Sequence, residues 1–579
     1  MAGIALFVCN CGGTIPERIN LGQVKERIAG HAEVVAVKEH DALCTSEGLD
    51  ELRDTISHRE LDGVLVAACH RDLFDVTFAP VLRDRGFDRS RVENIDLTVT
   101  PGRTSSPEDQ TAFFVRPAHR FLDGIAESIA ASATTERRFV RRALVIGGGI
   151  AGIQAALDIA NSGYEAVLVE RQPSIGGHMI QLSETFPSLD CSQCILTPRM
   201  SEAGRHPRIR LLTCTEVEHL EGNPGRFTAR IRRNPRYVTD ACTSCGDCIE
   251  ACPATVCDQF NTGFAWRKAI YQPFPQAVPS IFALDADSCL GLMPLVCGKC
   301  ADVCDADAID YDMPTVTEEL EVGAVVVATG YDLVDYGQIS ELGLGQIPDV
   351  INGLQFERLL SASGPTLGKV VRPSNGEVPK EVVFLQCVHS RSPHLAKSYC
   401  SGICCMYTAK HSILYKHRVP DGQAYIFYMD IRAGGKGYEE FVQRATESDG
   451  VMYLRGKVSR LYEADGKVMV CGVDTLVGRQ VEIAADLVVL ATAVVPAEQH
   501  DRVAEALQLE TDQHGFLTTA HDKAQPINAS RPGVFAVGCC QGPRDIPDTV
   551  AQASGAAAKV VAMFNRSRGV PGVLRSMGD

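Results

Sequence analysis

The sequence predicts an α/β protein of doubly wound parallel sheets, with a two-cluster ferredoxin domain inserted into a nucleotide fold and a small parallel α/β domain before it. Three observations predict this. Short apolar runs alternate with amphipathic stretches over residues 1–132. A strand, a glycine loop, a helix, a second strand and an acid follow one another from Arg142 to Glu170. Eight of the 23 cysteines fall into two ferredoxin-type runs.

The first domain is expected over 1–136. Ile4–Val8, Val34–Val37, Gly63–Ala68 and Val92–Leu97 read as strands. Helices are expected around Val24–Ile28, Leu49–Ile56 and Leu73–Arg85. Cys9 and Cys11 follow the first strand, Cys44 lies beyond the second, and Cys69 follows the third. All four should gather at the carboxyl edge of the sheet, where such folds place their sites. The polar stretch Ser132–Arg142 reads as a linker.

The nucleotide fold opens over 137–236. Ala143–Ile146 is a strand, and Gly147 permits the tight turn after it. Gly149 lets the backbone approach a pyrophosphate, Ile150 and Ala151 lead into the helix Ile153–Asn161, and Gly152 allows close helix packing. The second strand, Ala166–Val169, ends at Glu170, placed to contact a ribose hydroxyl. Arg171 and Gly177 follow as in flavoproteins with two dinucleotide folds. Val325–Gly330 and Leu487–Thr492 read as the strand-and-turn segments that close those folds. Gly533–Gly538 leads to Asp548, Thr549 and Val550, at a helix start expected over the flavin pyrophosphate. FAD is therefore preferred to NAD, and the fold is thioredoxin-reductase-like. Its last part, 315–579, should hold a second nucleotide-like domain with a strand at Glu381–Gln386. No glycine loop follows that strand, so NAD(P)H is not expected there.

The insert is expected over 237–314. Cys242, Cys245, Cys248 and Cys252 run C-x2-C-x2-C-x3-C before Pro253, and Cys289, Cys297, Cys300 and Cys304 follow. In this pattern the fourth cysteine of each run serves the other run's cluster. One [4Fe-4S] cluster thus takes Cys242, Cys245, Cys248 and Cys304; the other takes Cys289, Cys297, Cys300 and Cys252. Structural zinc would not favour the Cys-Pro ending. Cys387, Cys400, Cys404 and Cys405 stand where the second glycine loop should be, and could close around a third cluster. Cys191 and Cys194 leave three readings open: ligands of a fourth cluster shared with Cys9, Cys44 and Cys69, a dithiol redox pair, or structural thiols. Lys410 is a candidate cation near the flavin ring, where positive charge tunes the potential. His389, His394 and His411 read as hydrogen-bonded loop residues.

Composition bounds the setting. No apolar run reaches about 18 residues, the length of a membrane span. Met1–Cys11 lacks a signal-peptide layout. Abundant cysteine in an unexported chain points to metal-bound thiols and a cytoplasmic location. A net charge of −16 and a single tryptophan argue against nucleic acid as a partner.

Several segments together resemble the A subunit of heterodisulfide reductases. They are Cys9–Gly13, Gly147–Gly152, Leu189–Pro198, the eight-cysteine insert with Arg267–Gln276, Gln386–Arg391 with Tyr399–Met406, and Gly542–Gly555. The resemblance implies an electron-transfer subunit that splits electron pairs at FAD and passes single electrons along [4Fe-4S] clusters, in bifurcation or confurcation. It implies B- and C-like partner subunits, an iron–sulfur protein linked to a hydrogenase or formate dehydrogenase, and ferredoxin. Family members often carry a further C-terminal ferredoxin domain, and no cysteine follows Cys540 here. Quinone-linked and aromatic-ring-reducing complexes use similar subunits. The competing reading is a stand-alone, pyridine-nucleotide-dependent disulfide oxidoreductase using Cys191 and Cys194.

Overall fold

The computed structural model describes residues 3–566 except 16–18, 58–60, 69, 88–90, 99–106, 133–138, 293–295, 335, 393–396 and 522. Two compact units, Met1–Arg138 and Phe139–Asp579, make up the chain.

In the first unit a four-stranded parallel sheet has the order Val34–His40, Ile4–Cys9, Gly63–Ala68, Val92–Asp96. The two inner strands are buried along their whole length, because helices cover both faces. Ile4, Leu6 and Val8 face Val24 and Ile28 of the helix Leu21–Ala29, while Ala5 and Phe7 face Leu52, Ile56 and Phe78 on the other side. The helix Pro107–Ser132 was not expected. Phe114, Ala118 and Leu122, spaced four apart, bury one stripe of it against the same face as Leu21–Ala29.

The second unit is built on two large sheets. The first orders Val534–Ala536, Ala324–Val327, Arg142–Ile146, Glu165–Val169 and Ile209–Leu212 in parallel. Gln525–Ala529 and Thr519–His521 add an antiparallel edge. The second sheet is parallel: Val350–Asn352, Leu487–Thr492, Glu381–Val388, Gln423–Tyr428, Met452–Arg455. Both inner runs, Ala324–Val327 and Leu487–Thr492, are fully buried. Two three-stranded antiparallel sheets flank these layers.

One of the flanking sheets pairs Arg226–Arg233 with Val316–Val322, and the cysteine-rich segment loops out between those two strands. A bridge between Val238 and Ile309 closes its base. Inside it two short helices, Asp247–Ala251 and Lys299–Asp302, pack together beside two small hairpins. Its core is small: Val238, Ile270, Phe282, Leu284 and Ala308, packed with Cys248, Cys252 and Cys300. Among the described residues no helix is long and apolar enough to cross a membrane.

Candidate functional site: a dinucleotide cavity and cysteine groups

The strand Arg142–Ile146 runs into a loop where backbone meets backbone. Gly147 has φ +108°, and a Cβ there would stand 2.3 Å from the Ala328 carbonyl oxygen. A Cβ on Gly152 would stand 1.8 Å from the Gly147 oxygen, so only glycine lets the helix Ile150–Asn161 start this close. Gly177, at φ +56°, brings its backbone against Gly149, where a Cβ would lie 2.9 Å from the Gly149 Cα. The helix has Gly149 as N-cap and no side-chain cap, which leaves its first N–H groups for an anion. Glu170 closes the loop, accepting hydrogen bonds from Gly148 N at 2.7 Å and Gln172 N at 2.8 Å. Burial pushes its carboxyl above the ordinary range.

A cavity of about 450 Å³ opens at this loop. Of the residues named from the sequence for the cofactor, Gly147, Gly149, Ile150, Ala151, Glu170, Arg171, Gly177 and Thr549 line it. Gly152 and Gly538 lie outside the lining; Gly538 donates its N–H to Gln552 at 2.8 Å. Asp548 is exposed, and neither it nor Val550 lines the cavity. The helix Ile546–Arg566 begins two residues before Asp548, so Arg544, Asp545 and Ile546 face the cavity instead. A second cavity of about 550 Å³ shares Gly147, Glu170, Arg171, Thr329 and Ala497 with the first. Two joined cavities meeting at a glycine loop and an acid suit a ligand with two large ends bridged by a pyrophosphate.

Two orphaned polar atoms fit that ligand. Arg544 lines the first cavity and its Nε is buried without a partner; His500 lines the second and its Nε2 is likewise unpartnered. The residues present therefore fit FAD.

Of the charged cluster in the wall of the first cavity, the sequence singled out Lys410 and His411 but not Glu357. Lys410, on the helix Cys404–Arg418, forms an ion pair with Glu357 and donates to the Glu184 carbonyl at 2.7 Å. His411 donates from Nε2 to Glu357 at 2.6 Å, and Ser183 donates to the other Glu357 oxygen from N at 3.0 Å and Oγ at 2.7 Å. Burial alone would raise the Glu357 carboxyl, but Lys410 and His411 hold it well below the usual carboxylate range. His411 is therefore a buried helix residue rather than a loop residue. His389 bonds Glu341 at 2.8 Å, and His394 lies outside the described residues. The sequence signal for Glu357 was available: Glu357-Arg358 interrupts an apolar run, Phe356 and Leu359-Leu360, on a helix with a complete capping box.

The cysteines fall into groups. Cys252, Cys289, Cys297 and Cys300 line one small cavity in the looped-out segment, the set expected for one cluster. Tyr311 Oη sits 3.0 Å from Cys300 Sγ. Burial, then the neighbouring Cys242 and Cys245, pushes the Cys248 thiol up to about 12. Cys304 packs on the same core and accepts the Ala308 N–H at 3.4 Å. Among the described residues no three His, Cys, Asp or Glu side chains are arranged to hold a single metal ion.

At the end of the strand Glu381–Val388 the backbone alternates through left-handed φ at Cys387, His389 and Arg391. This kink turns Cys387 toward Cys404 and Cys405. The hydrogen bond from Cys404, with Arg391 nearby, lowers the Cys387 thiol to about 7. Cys405 accepts the Arg432 N–H at 3.4 Å, and Cys400 accepts that of Gly402 at 3.4 Å. Cys191 and Cys194 pair their sulfurs across the first turn of the helix Ser192–Arg205, with Cα atoms 5.2 Å apart. In the first unit, Cys9, Cys11 and Cys44 share one sheet edge, where burial and the two neighbours raise the Cys9 thiol. Cys69 lies outside the described residues.

Comparison with known proteins places these features. Residues 143–193 match the family described as FAD dependent oxidoreductase. An iron-sulfur A subunit of the CoB–CoM heterodisulfide reductase of Methanopyrus kandleri is 42% identical over 96% of this chain and 85% of its own length. The A subunit of the H(2):CoB-CoM heterodisulfide,ferredoxin reductase of Methanothermobacter thermautotrophicus is 40% identical over 96% of this chain and 84% of its own. Among solved structures, the thioredoxin reductase of T. acidophilum aligns over 74% of this chain and 99% of its own, at 14% identity and a TM-score of 0.41. Joined cavities built on a glycine loop, and relatives of this identity across nearly the whole length, make the chain an FAD-binding oxidoreductase that belongs to the family of CoB–CoM heterodisulfide reductase A subunits.

Proposed function

We propose that this chain is the flavin-bearing hub of a heterodisulfide-reductase-like complex, splitting electron pairs at FAD and passing single electrons through [4Fe-4S] centres to partner subunits. The observation that carries the reading is one polypeptide in which a dinucleotide cavity and a cavity lined by four cysteines are both built.

Bound FAD supplies exchange between two-electron and one-electron chemistry. The protein residues do the rest. The glycine loop and Arg544 bind the pyrophosphate, and Glu170 orients the ribose. The looped-out segment, proposed as a ferredoxin domain over 237–314, holds one centre on Cys252, Cys289, Cys297 and Cys300 and another on Cys242, Cys245, Cys248 and Cys304. Cys387, Cys400, Cys404 and Cys405 hold a third, where a pyridine-nucleotide enzyme would need glycines. The proposed partners are B- and C-like subunits on the acceptor side. On the donor side we propose an iron–sulfur protein linked to a hydrogenase or formate dehydrogenase.

Anaerobic rapid mixing of the chain with NADPH tests the reading against a disulfide oxidoreductase. The hub leaves the flavin band unbleached on the time scale of turnover. Fast bleaching by NADPH would overturn it.

A further inference from the structure

Within the buried charge cluster, His411 keeps one ring nitrogen that takes no hydrogen bond. Its Nε2 is committed to Glu357, while its Nδ1 is buried and has no hydrogen-bond partner. The ring is packed by Phe356 at 5.1 Å and Tyr407 at 5.3 Å between centroids, and His411 itself lines the flavin cavity.

The charges around it are balanced before any electron arrives. Glu357 is an anion held by Lys410, and both side chains are at most 3% exposed. From the loop, Glu184 faces Lys410, Glu357 and Arg418. From the helix Gly353–Leu360, the Arg358 cation faces the Asp258 carboxylate and donates to the Gln181 carbonyl at 2.8 Å and to that of Ser363 at 3.0 Å. Tyr407 and Tyr331 are neutral, their hydroxyls pushed upward by burial. Burial favours the neutral imidazole of His411, opposed by Glu357. Lys410, matched by Glu357, therefore presents little net charge to the cavity. A negative charge added there has to be met from outside, because an unpaired charge in a low-dielectric cavity is costly.

We propose that His411 is the proton acceptor that compensates the charge placed on the bound flavin when it is reduced. The oxidised ring takes two electrons from the donor and one proton, which leaves one negative charge. A second proton passes from water to His411 Nδ1, while the Nε2–H bond to Glu357 stays intact. Reoxidation by the acceptor releases both protons. Glu357 is the positioning residue: its carboxylate fixes the ring through Nε2, so that Nδ1 is the nitrogen left to accept. The inference rests on FAD occupying the cavity.

The test is the pH dependence of the flavin midpoint potential over pH 6–9, read from the flavin band of the anaerobic holoprotein after its FAD content has been measured. One proton per two electrons contributes about 30 mV per pH unit. The wild type is expected to shift by about 60 mV per pH unit and His411→Gln by about 30. A wild-type slope of about 30, or an unchanged slope in FAD-loaded His411→Gln, overturns the proposal. Absence of FAD from the wild type overturns instead the reading on which it rests. If His411→Gln fails to load FAD, redox difference infrared spectra of the wild type decide. A protonated-imidazole band appearing with reduction supports the step, and its absence overturns it.

Discussion

Lys410→Met strips Glu357 of its counter-ion without opening the cavity wall, since Met is close to the lysine stem in length. The Glu357 carboxylate is 3% exposed and keeps three donors: Ser183 N, Ser183 Oγ and His411 Nε2. Breaking a buried pair from one side costs about 3–5 kcal/mol. The three remaining donors place this case near the low end, at about 3 kcal/mol. For a unit of this size that lowers the FAD-release temperature by roughly 3 °C. Lys410→Met/Glu357→Gln removes both charges of the pair and regains about half of the loss. The sign of the pH dependence follows from the depressed Glu357 carboxyl. Its stabilisation is complete above the unfolded value of about 4.3 and is withdrawn as the pH falls below it, so the wild-type advantage narrows in acid. Thermal FAD release, followed anaerobically by flavin fluorescence at pH 7 and pH 4, measures this. A Lys410→Met cost under about 1 kcal/mol at pH 7, or a double variant less stable than the single one, would refute the reasoning.

Gly152→Ala sets a methyl 1.8 Å from the Gly147 oxygen, so the purified variant is expected to be devoid of FAD; full occupancy would show that the loop opens easily. Cys252→Ala and Cys304→Ala each remove a ligand from a different set, so each variant should lose the spectrum of one centre and keep the other; loss of the same centre in both would break the crossed assignment. Arg544→Ala removes the buried, unpartnered guanidinium nitrogen and is expected to weaken FAD binding about tenfold or more, measured by equilibrium dialysis.

Local chemistry was the legible part of this sequence. Gly152 is demanded by the Gly147 backbone oxygen in the same loop, and the strand at Arg142–Ile146 begins within one residue of the expected place. The fully buried strands Ile4–Cys9 and Gly63–Ala68 were equally plain, because both faces must be apolar. What depended on distant partners was not legible. Glu357 shows in the sequence only as a charge inside an apolar helix run; its partners Lys410, His411 and Ser183 come from distant places in the chain. The helix Pro107–Ser132 was not read from the sequence, although it carries Pro117 inside it and its stripe buries Phe114, Ala118 and Leu122. The assignment of Asp548 to the cavity misplaced a helix start. Pro547 sits in the first turn, where its missing N–H costs nothing, and that proline marks Asp545 as the residue just before the helix.

The account stands most directly on the content of the protein purified without oxygen. Flavin, iron and acid-labile sulfide measured on one sample should give one FAD per chain and at least about eight iron atoms with equal sulfide. A chain that holds FAD with fewer than about four iron atoms, or iron without flavin, would contradict the wiring of flavin to clusters in a single polypeptide.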